Sequence, residues 1–481
     1  MKGVFHIVAS LLLATILLLI SLPVNAQGVK TIELEGCVRS EGKGIPSVVV
    51  TDGLNCVVTD KDGNYKINSL ESSKFVYITV PAGYLVDNKE NKIPQFFQLI
   101  EKGKTNYNFN LNKNKRDDNR HVFVVQADVQ ATSSEDLNQY ESIINDMAAT
   151  LKTKRNYDAF GVDCGDMVGD CPHLFPEYIE KMRSLNIPFY RAIGNHDMTY
   201  GGRTFEYSYS TVENYFGPTN YSFNKGKAHY IILDNCFYVN RDYQYIGYIP
   251  EKTLAWMEQD LANVPKTSIV FVVMHIPTSL SPKLKWNVLQ QDETSNAAGL
   301  YDLLKGYNTH IISGHTHFNL NVSFNDSLME HNTAAACGTW WQVPECLDGT
   351  PRGYAVYDVS GDKVTWYYKS AGYDRYYQMR VYGLGEDKDN PDYVVANVWN
   401  YDDKWKVELL EDGKKTCDMD KFTGYDPLAR VLCADKNKVK YDWISPIPNE
   451  HMFKAKPKDR TAKLQVRVYD RFGNKYVQDI E

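Results

Sequence analysis

The middle of this chain alternates short apolar strands with stretches of helical pattern, and no other feature restricts the possible folds so strongly. The strands are rich in β-branched and aromatic residues and occupy His121–Gln126, Ala159–Cys164, Pro188–Ile193, His229–Leu233, Ser268–Met274 and His310–Ser313. Helical patterns lie between several of them, over Ser134–Lys154, Glu251–Leu261 and Ala297–Lys305. Apolar strands that alternate with helices predict a layered α/β sheet.

Strand-like sequence flanks this middle region on both sides. Residues 27–113 contain short alternating runs broken by turns, and they resemble a small immunoglobulin-like β-sandwich. A charged linker at about residues 113–120 follows them. Residues 371–481 become strand-like again, which predicts a second β-sandwich. We therefore expect an α/β domain over residues 120–370 between two all-β domains.

The first 26 residues have the pattern of a signal peptide. Lys2 is their only charge, an apolar run extends from about Ile7 to Leu22, and small residues precede the bond after Ala26. This predicts cleavage before Gln27 and an exported chain that is periplasmic, secreted or associated with the cell surface. An uncleaved membrane anchor is the alternative, but the run is short for a bilayer of ~30 Å. No later stretch is apolar enough to span a membrane, so we expect no transmembrane segment in the mature chain.

Cysteine count and net charge restrict the chemistry further. In an exported chain the nine cysteines permit disulfides between sequence neighbours, and buried reduced thiols are the alternative. The candidate pairs are Cys37/Cys56, Cys164/Cys171, Cys337/Cys346 and Cys417/Cys433. The formal net charge of −7 provides no attraction for a polyanion, so we expect no nucleic-acid polymer as a partner.

Five short polar motifs follow apolar strands of the middle region. They are Asp128-Val-Gln130, Gly165-Asp166, Gly194-Asn195-His196-Asp197, the single His275, and Gly314-His315-Thr-His317. Ligand groups in open α/β sheets converge at the carboxyl ends of strands, so these side chains are expected to lie together. Carboxylate, amide and imidazole donors suit two divalent cations of the Mn, Zn or Fe type.

Each motif on its own has an ordinary structural interpretation. Gly165-Asp166 is compatible with a turn or a helix cap, and His275 with a hydrogen-bonded core histidine. The two histidines of the last motif are compatible with an exposed strand. The five motifs in this order, each after a strand, favour a common metal site over five separate coincidences.

The order of these motifs resembles that of the calcineurin-like metallophosphoesterase family. The resemblance covers about Val122 to Val359, and the flanking domains are similar to those of secreted, Bacteroidetes-type members. It implies an α/β core of four layers, α/β/β/α, flanked by two all-β sandwiches. It also implies a dinuclear metal site with two divalent cations.

The resemblance assigns roles to individual residues. It implies that Asp128, Asp166 and His317 hold one metal, with Asp166 shared by both ions, and that the second metal is held by Asn195, His275 and His315. His196 would be a general acid near the leaving group, with Asp197 orienting its ring. Gln130 stands where the family usually has histidine, so whether it coordinates a metal is open.

The implied activity is hydrolysis of a phosphate ester, with diesters favoured over monoesters, by in-line attack of a metal-bridging hydroxide. The substrate would be a small-molecule or surface-linked phosphoester. The alternative is a catalytically weak or inactive cell-surface binding protein on a degenerate scaffold of this family, which only Gln130 supports.

Candidate substrate-binding residues are aromatic or basic and lie in two loops near the motifs. Trp340, Trp341 and Tyr354 follow the last metal motif, and an insertion after Asn195 contains Arg203, Tyr207 and Tyr209. A tryptophan in the first loop could stack on a base, a sugar or a lipid head group. Core packing of that loop is the equally weighted alternative.

Overall fold

The computed structural model describes residues 30–88, 92–240, 242, 244–281 and 289–480. The predicted signal peptide over residues 1–26 and its cleavage site lie outside the described residues. Within the described ranges, no helix combines the length and the hydrophobicity needed to cross a bilayer.

The N-terminal domain is a β-sandwich. Its strands are β1 (Thr31–Ser40), β2 (Lys43–Gly44), β3 (Val49–Thr51), β4 (Cys56–Val58), β5 (Asn64–Leu70), β6 (Phe75–Ile78), β7 (Tyr84–Leu85), β8 (Phe97–Leu99) and β9 (Phe109–Lys113). One sheet has the order β2-β1-β9-β7 with β5 paired to β1, and the other has the order β4-β3-β6-β8. The period-2 burial of β5, with Tyr65 and Ile67 inside, is typical of a strand that covers one core.

The middle domain contains two larger sheets and the longest helices. Its strands are β10 (Arg120–Gln126), β11 (Asp158–Asp163), β12 (Phe189–Arg191), β13 (Tyr221–Lys225), β14 (Ala228–Ile232), β15 (Cys236–Asn240), β16 (Gln244–Gly247), β17 (Ile269–Val273), β18 (Asn308–Ser313), β19 (Leu320–Asn325), β20 (Leu328–Asn332), β21 (Gly353–Ser360) and β22 (Lys363–Ser370). Its helices are α1 (Ser134–Thr153), α2 (Phe175–Met182), α3 (Phe205–Ser208), α4 (Ser210–Phe216), α5 (Glu251–Leu261) and α6 (Ala297–Leu304). The sheet orders are β12-β11-β10-β21-β22 and β13-β14-β17-β18-β20-β19.

Alternate residues of the central strands face different layers. In β10, Phe123 lies in the apolar cluster between the two sheets, whereas Val124 packs in the cluster that contains the buried face of α1. In β17, Phe271 faces the same inter-sheet cluster and Val272 packs with residues of α5 and α6. Because side chains alternate across a strand, both sheets are buried on both faces. The layers are helix, sheet, sheet, helix, which confirms the predicted α/β/β/α core.

The C-terminal domain is built from two four-stranded sheets and one helix. Its elements are β23 (Arg380–Tyr382), β24 (Val394–Asn397), β25 (Lys406–Glu411), β26 (Lys414–Asp418), β27 (Asp420–Gly424), α7 (Pro427–Ala434), β28 (Asn449–Ala455), β29 (Leu464–Tyr469) and β30 (Lys475–Asp479). The sheet orders are β23-β24-β28-β27 and β26-β25-β29-β30, and their inner faces share one core. The sequence pattern did not predict α7, which begins after Asp426, whose side chain accepts the backbone N–H of Ala429.

All nine cysteines are free thiols, so none of the four candidate pairs forms a disulfide. Most of them are buried, and Cys164 and Cys337 lie within apolar clusters of the middle domain. Reduced thiols, the alternative left open by the sequence, are what the structure contains.

Candidate metal centre

Two sets of parallel strands bring the five motifs to one edge of the core. β10, β11 and β12 are parallel in the first sheet, and β17 and β18 are parallel in the second. The motifs follow the carboxyl ends of these strands, and a hydrogen bond joins the two sets. The backbone N–H of His315 donates to Oδ2 of Asp128 at 2.9 Å. The first and the last motif therefore lie next to each other, as the sequence predicts.

The site is built on backbone that non-glycine residues seldom adopt. Five residues of the site have positive φ angles, between 43° and 73°: Asp128, Gln130, Asp166, His315 and His317. Each such residue costs on the order of 1 kcal/mol and persists where the surrounding structure holds it. This concentration of strained backbone at one edge of the sheet is typical of a functional site.

Two motif glycines leave room for the carboxylates. A methyl group added to Gly194 would lie 2.1 Å from Oδ1 of Asp166. One added to Gly314 would lie 2.7 Å from Oδ2 of Asp128. Both distances are far below van der Waals contact, so any larger residue at either position would displace a carboxylate of the site.

Asp166 is the centre of the cluster. Its Oδ1 accepts the backbone N–H of His196 at 2.8 Å, and its Oδ2 lies 3.3 Å from Nε2 of His275. Burial alone would raise the pKa of Asp166, but the positive charges of His275 and His196 outweigh it and hold the pKa well below its usual range. Asp166 is therefore a carboxylate in spite of being almost wholly buried.

His275 connects three of the motifs. Its Nδ1 lies 2.9 Å from the carbonyl oxygen of Cys164, which fixes the ring, and its Nε2 lies 2.9 Å from Oδ1 of Asn195 and 3.2 Å from Nδ1 of His315. Burial lowers the pKa of His275, but the carboxylate of Asp166 opposes this and raises the pKa to about 9. A cation bound by Asp166 at this position would have to replace the proton on Nε2, because only the neutral ring can coordinate a metal.

Asp128 and His317 form the other side of the cluster. Nε2 of His317 lies 3.4 Å from Oδ1 of Asp128, and both side chains are buried. Burial opposes the charged ring, but Asp128 raises the pKa of His317 well above its ordinary value. Cys337 supports both residues: its backbone N–H donates to the carbonyl of Asp128, and its Sγ lies 3.9 Å from Nδ1 of His317.

Gln130 lies within the cluster and leaves one atom unpaired. Its Nε2 donates to Oδ2 of Asp166 at 3.2 Å. Its Oε1 is buried and has no hydrogen-bond partner in the part of the chain that the structure describes. An unpaired buried carbonyl oxygen is costly, at about 1–3 kcal/mol, and a nearby cation would satisfy it.

The donor atoms of this cluster fit a divalent cation. One ligand atom from each of Asp128, Asp166 and His275 lies within 4.8 Å of the others. Two imidazole nitrogens face each other at 3.2 Å, and the amide oxygen of Gln130 is unsatisfied. Carboxylates, imidazoles and an amide oxygen around one point are the donors that Zn, Mn and Fe accept.

His196 lies at the rim of the cluster, and its ring is held by Asp170. Nδ1 of His196 lies 2.9 Å from Oδ2 of Asp170, and both side chains are about one-third exposed. Burial lowers the pKa of His196, but Asp166 and Asp170 oppose it and the pKa is raised. Sequence reasoning missed Asp170, although it follows Asp166 by only four positions in the same loop.

The expectation that Asp197 orients the ring of His196 is wrong. Oδ2 of Asp197 accepts the backbone N–H of Gly194 at 2.9 Å, and Oδ1 accepts that of Val168 at 3.1 Å. Asp197 is buried, so its side chain holds the loop backbone instead of a ring. Burial, followed by repulsion from Asp166, raises the pKa of Asp197 to about 8.

Two of the candidate substrate-binding residues are structural. Tyr354 is wholly buried, and its hydroxyl donates to Oδ1 of Asp146 on α1. Trp341 is buried as well, and its Nε1–H donates to the carbonyl of Val129 at 2.8 Å. Both side chains are buried and hydrogen-bonded within the protein, so neither is exposed to a substrate in this structure.

Other aromatic side chains do lie beside the metal-site histidines. Trp340 is half-buried and stacks on His317 with ring centres 4.5 Å apart. Tyr245, which sequence reasoning did not single out, lies edge-on to His315 at 6.0 Å. The remaining candidates, Arg203, Tyr207 and Tyr209, make no hydrogen bond, ion pair or ring contact with the motif side chains within the described ranges.

Comparison with solved structures finds phosphatases and a nucleotidase of low sequence identity. A dimetal phosphatase from Danio rerio is 12% identical over 52% of this chain and 96% of its own, with a TM-score of 0.39. A purple acid phosphatase from yellow lupin is 12% identical over 69% and 68%, with a TM-score of 0.37. A 5′-nucleotidase from Candida albicans is 14% identical over 53% and 52%, with a TM-score of 0.34. No curated protein sequence matches the chain.

Family models match along nearly the whole chain. The model of calcineurin-like phosphoesterases matches residues 121–319. The models of the N-terminal and C-terminal parts of calcineurin-like phosphoesterases match residues 32–114 and 330–476. The chain therefore belongs to the calcineurin-like phosphoesterase family and carries the family's N-terminal and C-terminal domains beside the metallophosphoesterase core.

Proposed function

We propose that this chain is an exported, metal-dependent hydrolase of a small-molecule or surface-linked phosphoester, with diesters preferred to monoesters. One observation carries the proposal: the buried cluster of Asp128, Asp166 and His275 has an imidazole, that of His196, at its exposed rim. When bound, two divalent cations of the Mn, Zn or Fe type would activate water and neutralise phosphate charge. The ligands would be Asp128, Gln130, Asp166, Asn195, His275, His315 and His317.

The protein's side chains would position the proton donor and supply a proton to the departing oxygen. His196 would donate a proton to the departing oxygen, since its ring is the partly exposed one and the nearby carboxylates favour its charged form. Asp170 would accept a hydrogen bond from Nδ1 of His196, which would leave Nε2 free to face the substrate. Asp166 would hold the backbone of His196 at a constant distance from the ligands.

The charge of the site supports a diester substrate. The hydrogen bonds and ion pairs of the proposed ligands and of His196 involve no lysine or arginine among the described residues. Phosphoryl-transfer sites commonly use such cations to clamp phosphate oxygens. A diester carries one negative charge and a monoester up to two, so a site whose positive charge comes only from histidines and the proposed cations, with no lysine or arginine clamp, is better matched to the diester.

Export is proposed from the first 26 residues, with the mature chain beginning at Gln27. We propose that residues 27–113 and 371–481 form sandwich domains and that residues 120–370 form the catalytic domain. Intact mass of material recovered outside the cytoplasm tests the cleavage. A chain that still carried residues 1–26 would contradict it.

The activity is tested with bis(p-nitrophenyl) phosphate and p-nitrophenyl phosphate, each with Mn, Zn and Mg, together with elemental analysis of the protein. We expect metal-dependent release of p-nitrophenolate, faster from the diester, and two metals per chain. Faster release from the monoester would overturn the diester preference alone. No release with any metal would leave the inactive binding protein as the better interpretation.

A further inference from the structure

A segment of the C-terminal domain lies over a loop of the metal centre. This segment, residues 436–447, packs Val439 and Ile444 into a small apolar cluster with Val343. Val343 belongs to the loop that also contains Trp340 and Leu347, which we call the core loop. The backbone N–H of Lys440 donates to Oε1 of Gln342 at 2.5 Å. The backbone N–H of Ile447 donates to the carbonyl of Leu347 at 3.1 Å. The segment is therefore attached to the core loop along its length.

Three aromatic rings form a row that leads outward from the ring of His317, a proposed metal ligand. Trp340 stacks on His317 at 4.5 Å with 27° between the ring planes. Trp443 meets Trp340 edge-on at 4.7 Å and 83°. Tyr441 in turn stacks on Trp443 at 5.5 Å and 15°. Only one ring, that of Trp340, separates Trp443 from the metal centre.

The outer rings are exposed although the segment that carries them is anchored. Trp443 is 61% exposed and Tyr441 is 47% exposed, whereas Val439 and Ile444 beside them are buried. Exposed aromatic rings on a fixed backbone are available for stacking without a large loss of side-chain entropy on binding. Beside the rings, Lys436 and Asp442 form an ion pair at 3.9 Å.

We propose that Trp443 and Tyr441, together with Trp340, form a subsite for a planar ring in the organic group of the substrate. The substrate class is then a phosphoester that carries an aryl group or a nucleobase, and the inference rests on the proposed phosphoesterase activity. The phosphate would lie at the metal centre while the ring stacks on Trp443. The C-terminal domain would thus determine specificity for a reaction whose groups all belong to the middle domain.

The test compares two diesters with the same leaving group, phenyl p-nitrophenyl phosphate and cyclohexyl p-nitrophenyl phosphate. In each, water adds to phosphorus and releases a proton to the solvent, the bond to the nitrophenyl oxygen breaks, and p-nitrophenolate leaves with the bonding electrons. Stacking on an aromatic ring predicts a preference of roughly fivefold to tenfold in kcat/KM for the phenyl ester. We expect Trp443→Ala to abolish this preference through a higher KM with kcat nearly unchanged, and Trp443→Phe to keep most of it.

The matched control is Tyr376→Ala. The ring of Tyr376 is 57% exposed, and it contacts the ring of Tyr476 and the guanidinium of Arg375. This variant should keep the preference for the phenyl ester. An equal kcat/KM for the two esters in the wild-type protein, or a preference that persists in Trp443→Ala, would overturn the subsite.

Binding provides a readout that does not need turnover. Phenylphosphonate should quench the tryptophan fluorescence of the wild-type protein at lower concentration than cyclohexylphosphonate, and the two should be equal in Trp443→Ala. If neither ester is hydrolysed but this difference in binding is present, the phosphoesterase proposal fails and the ring subsite stands. If both esters are hydrolysed at equal rates and the phosphonates bind equally, the subsite alone fails.

Discussion

Nδ1 of His196 lies 2.9 Å from the carboxylate of Asp170, while the backbone N–H of His196 donates to Asp166 at 2.8 Å. One residue therefore connects the rim of the site with the centre of the ligand cluster. Asp170 holds the ring, and Asp166 holds the backbone that carries it. The two carboxylates have separate tasks, so removing one should give a different phenotype from removing the other.

Replacing His196 by alanine should slow esters of poor leaving groups far more than esters of good ones. A general acid contributes ~10²–10⁴-fold when the departing oxygen is basic and much less when nitrophenolate departs unaided. The measurement compares kcat for alkyl and nitrophenyl esters, with metal content by elemental analysis as the control. Equal losses on both esters, or loss of a metal ion, would show that His196 is not the acid.

Asp170→Asn should resemble His196→Ala in kind, with a smaller loss. The amide can still occupy Nδ1 but no longer carries the charge that favours the protonated ring, so kcat on alkyl esters should fall by roughly tenfold with metal content unchanged. Asp197→Asn serves as the contrast. Because Asp197 accepts two backbone N–H groups, its replacement should lower the melting temperature instead. An alkyl-specific loss in Asp197→Asn and none in Asp170→Asn would reverse the assignment.

Asp166→Asn should remove most of the activity on every ester and much of the bound metal. The carboxylate contacts the rings and backbone of the cluster, and a neutral amide is a weaker ligand for divalent cations. Elemental analysis and kcat measured on the same preparation test this. A variant that kept near wild-type turnover and two metals per chain would contradict the proposed role of Asp166 as the shared ligand.

Gln130→His and Gln130→Ala should change metal affinity in opposite directions. Imidazole is a better ligand than an amide oxygen for Zn, so Gln130→His should raise the Zn affinity by roughly tenfold or more. Gln130→Ala removes the unpaired oxygen and should lower the affinity of one metal without affecting the other. Titration of the metal-free protein by calorimetry measures both. Equal affinities in the three proteins would show that Gln130 is outside the coordination sphere.

Asp234→Asn should stabilise the protein at alkaline pH. Asp234 is buried, and burial, assisted by Glu213, raises the pKa of its carboxyl to about 7. The folded state therefore holds a proton that the unfolded state releases near pH 4, and stability falls as pH rises from about 4 to 7. Above pH 7 the variant should be more stable than the wild type by about 1–3 kcal/mol, and the difference should shrink below pH 5.

Denaturant unfolding of wild type and Asp234→Asn across pH 4–8 measures that difference directly. Asp326→Asn, at an exposed turn, controls for the loss of one negative charge. A stability difference that does not depend on pH would mean that the buried carboxyl is ionised in the folded protein at all these pH values.

The sequence by itself predicted the layered core and the convergence of the motifs. Both depend on local patterns: apolar runs of strand length, helical periodicity between them, and a polar motif after each strand. Parallel strands end at a common edge, so Asp128, Asp166 and His275 had to be near one another once the sheets formed. The same reasoning could not separate the exposed Trp443 from any other aromatic residue of the C-terminal domain.

Only the tertiary structure decided which neighbours these residues have. Asp170, and not Asp197, reaches the ring of His196, because the loop after β12 turns the side chain of Asp197 back onto its own backbone. Trp341 and Tyr354 are buried while Trp443 is exposed beside Trp340, although all four are aromatic and lie in polar or mixed segments. Burial and hydrogen-bond partners depend on contacts between segments far apart in sequence, and sequence patterns reveal only the local periodicity of each segment.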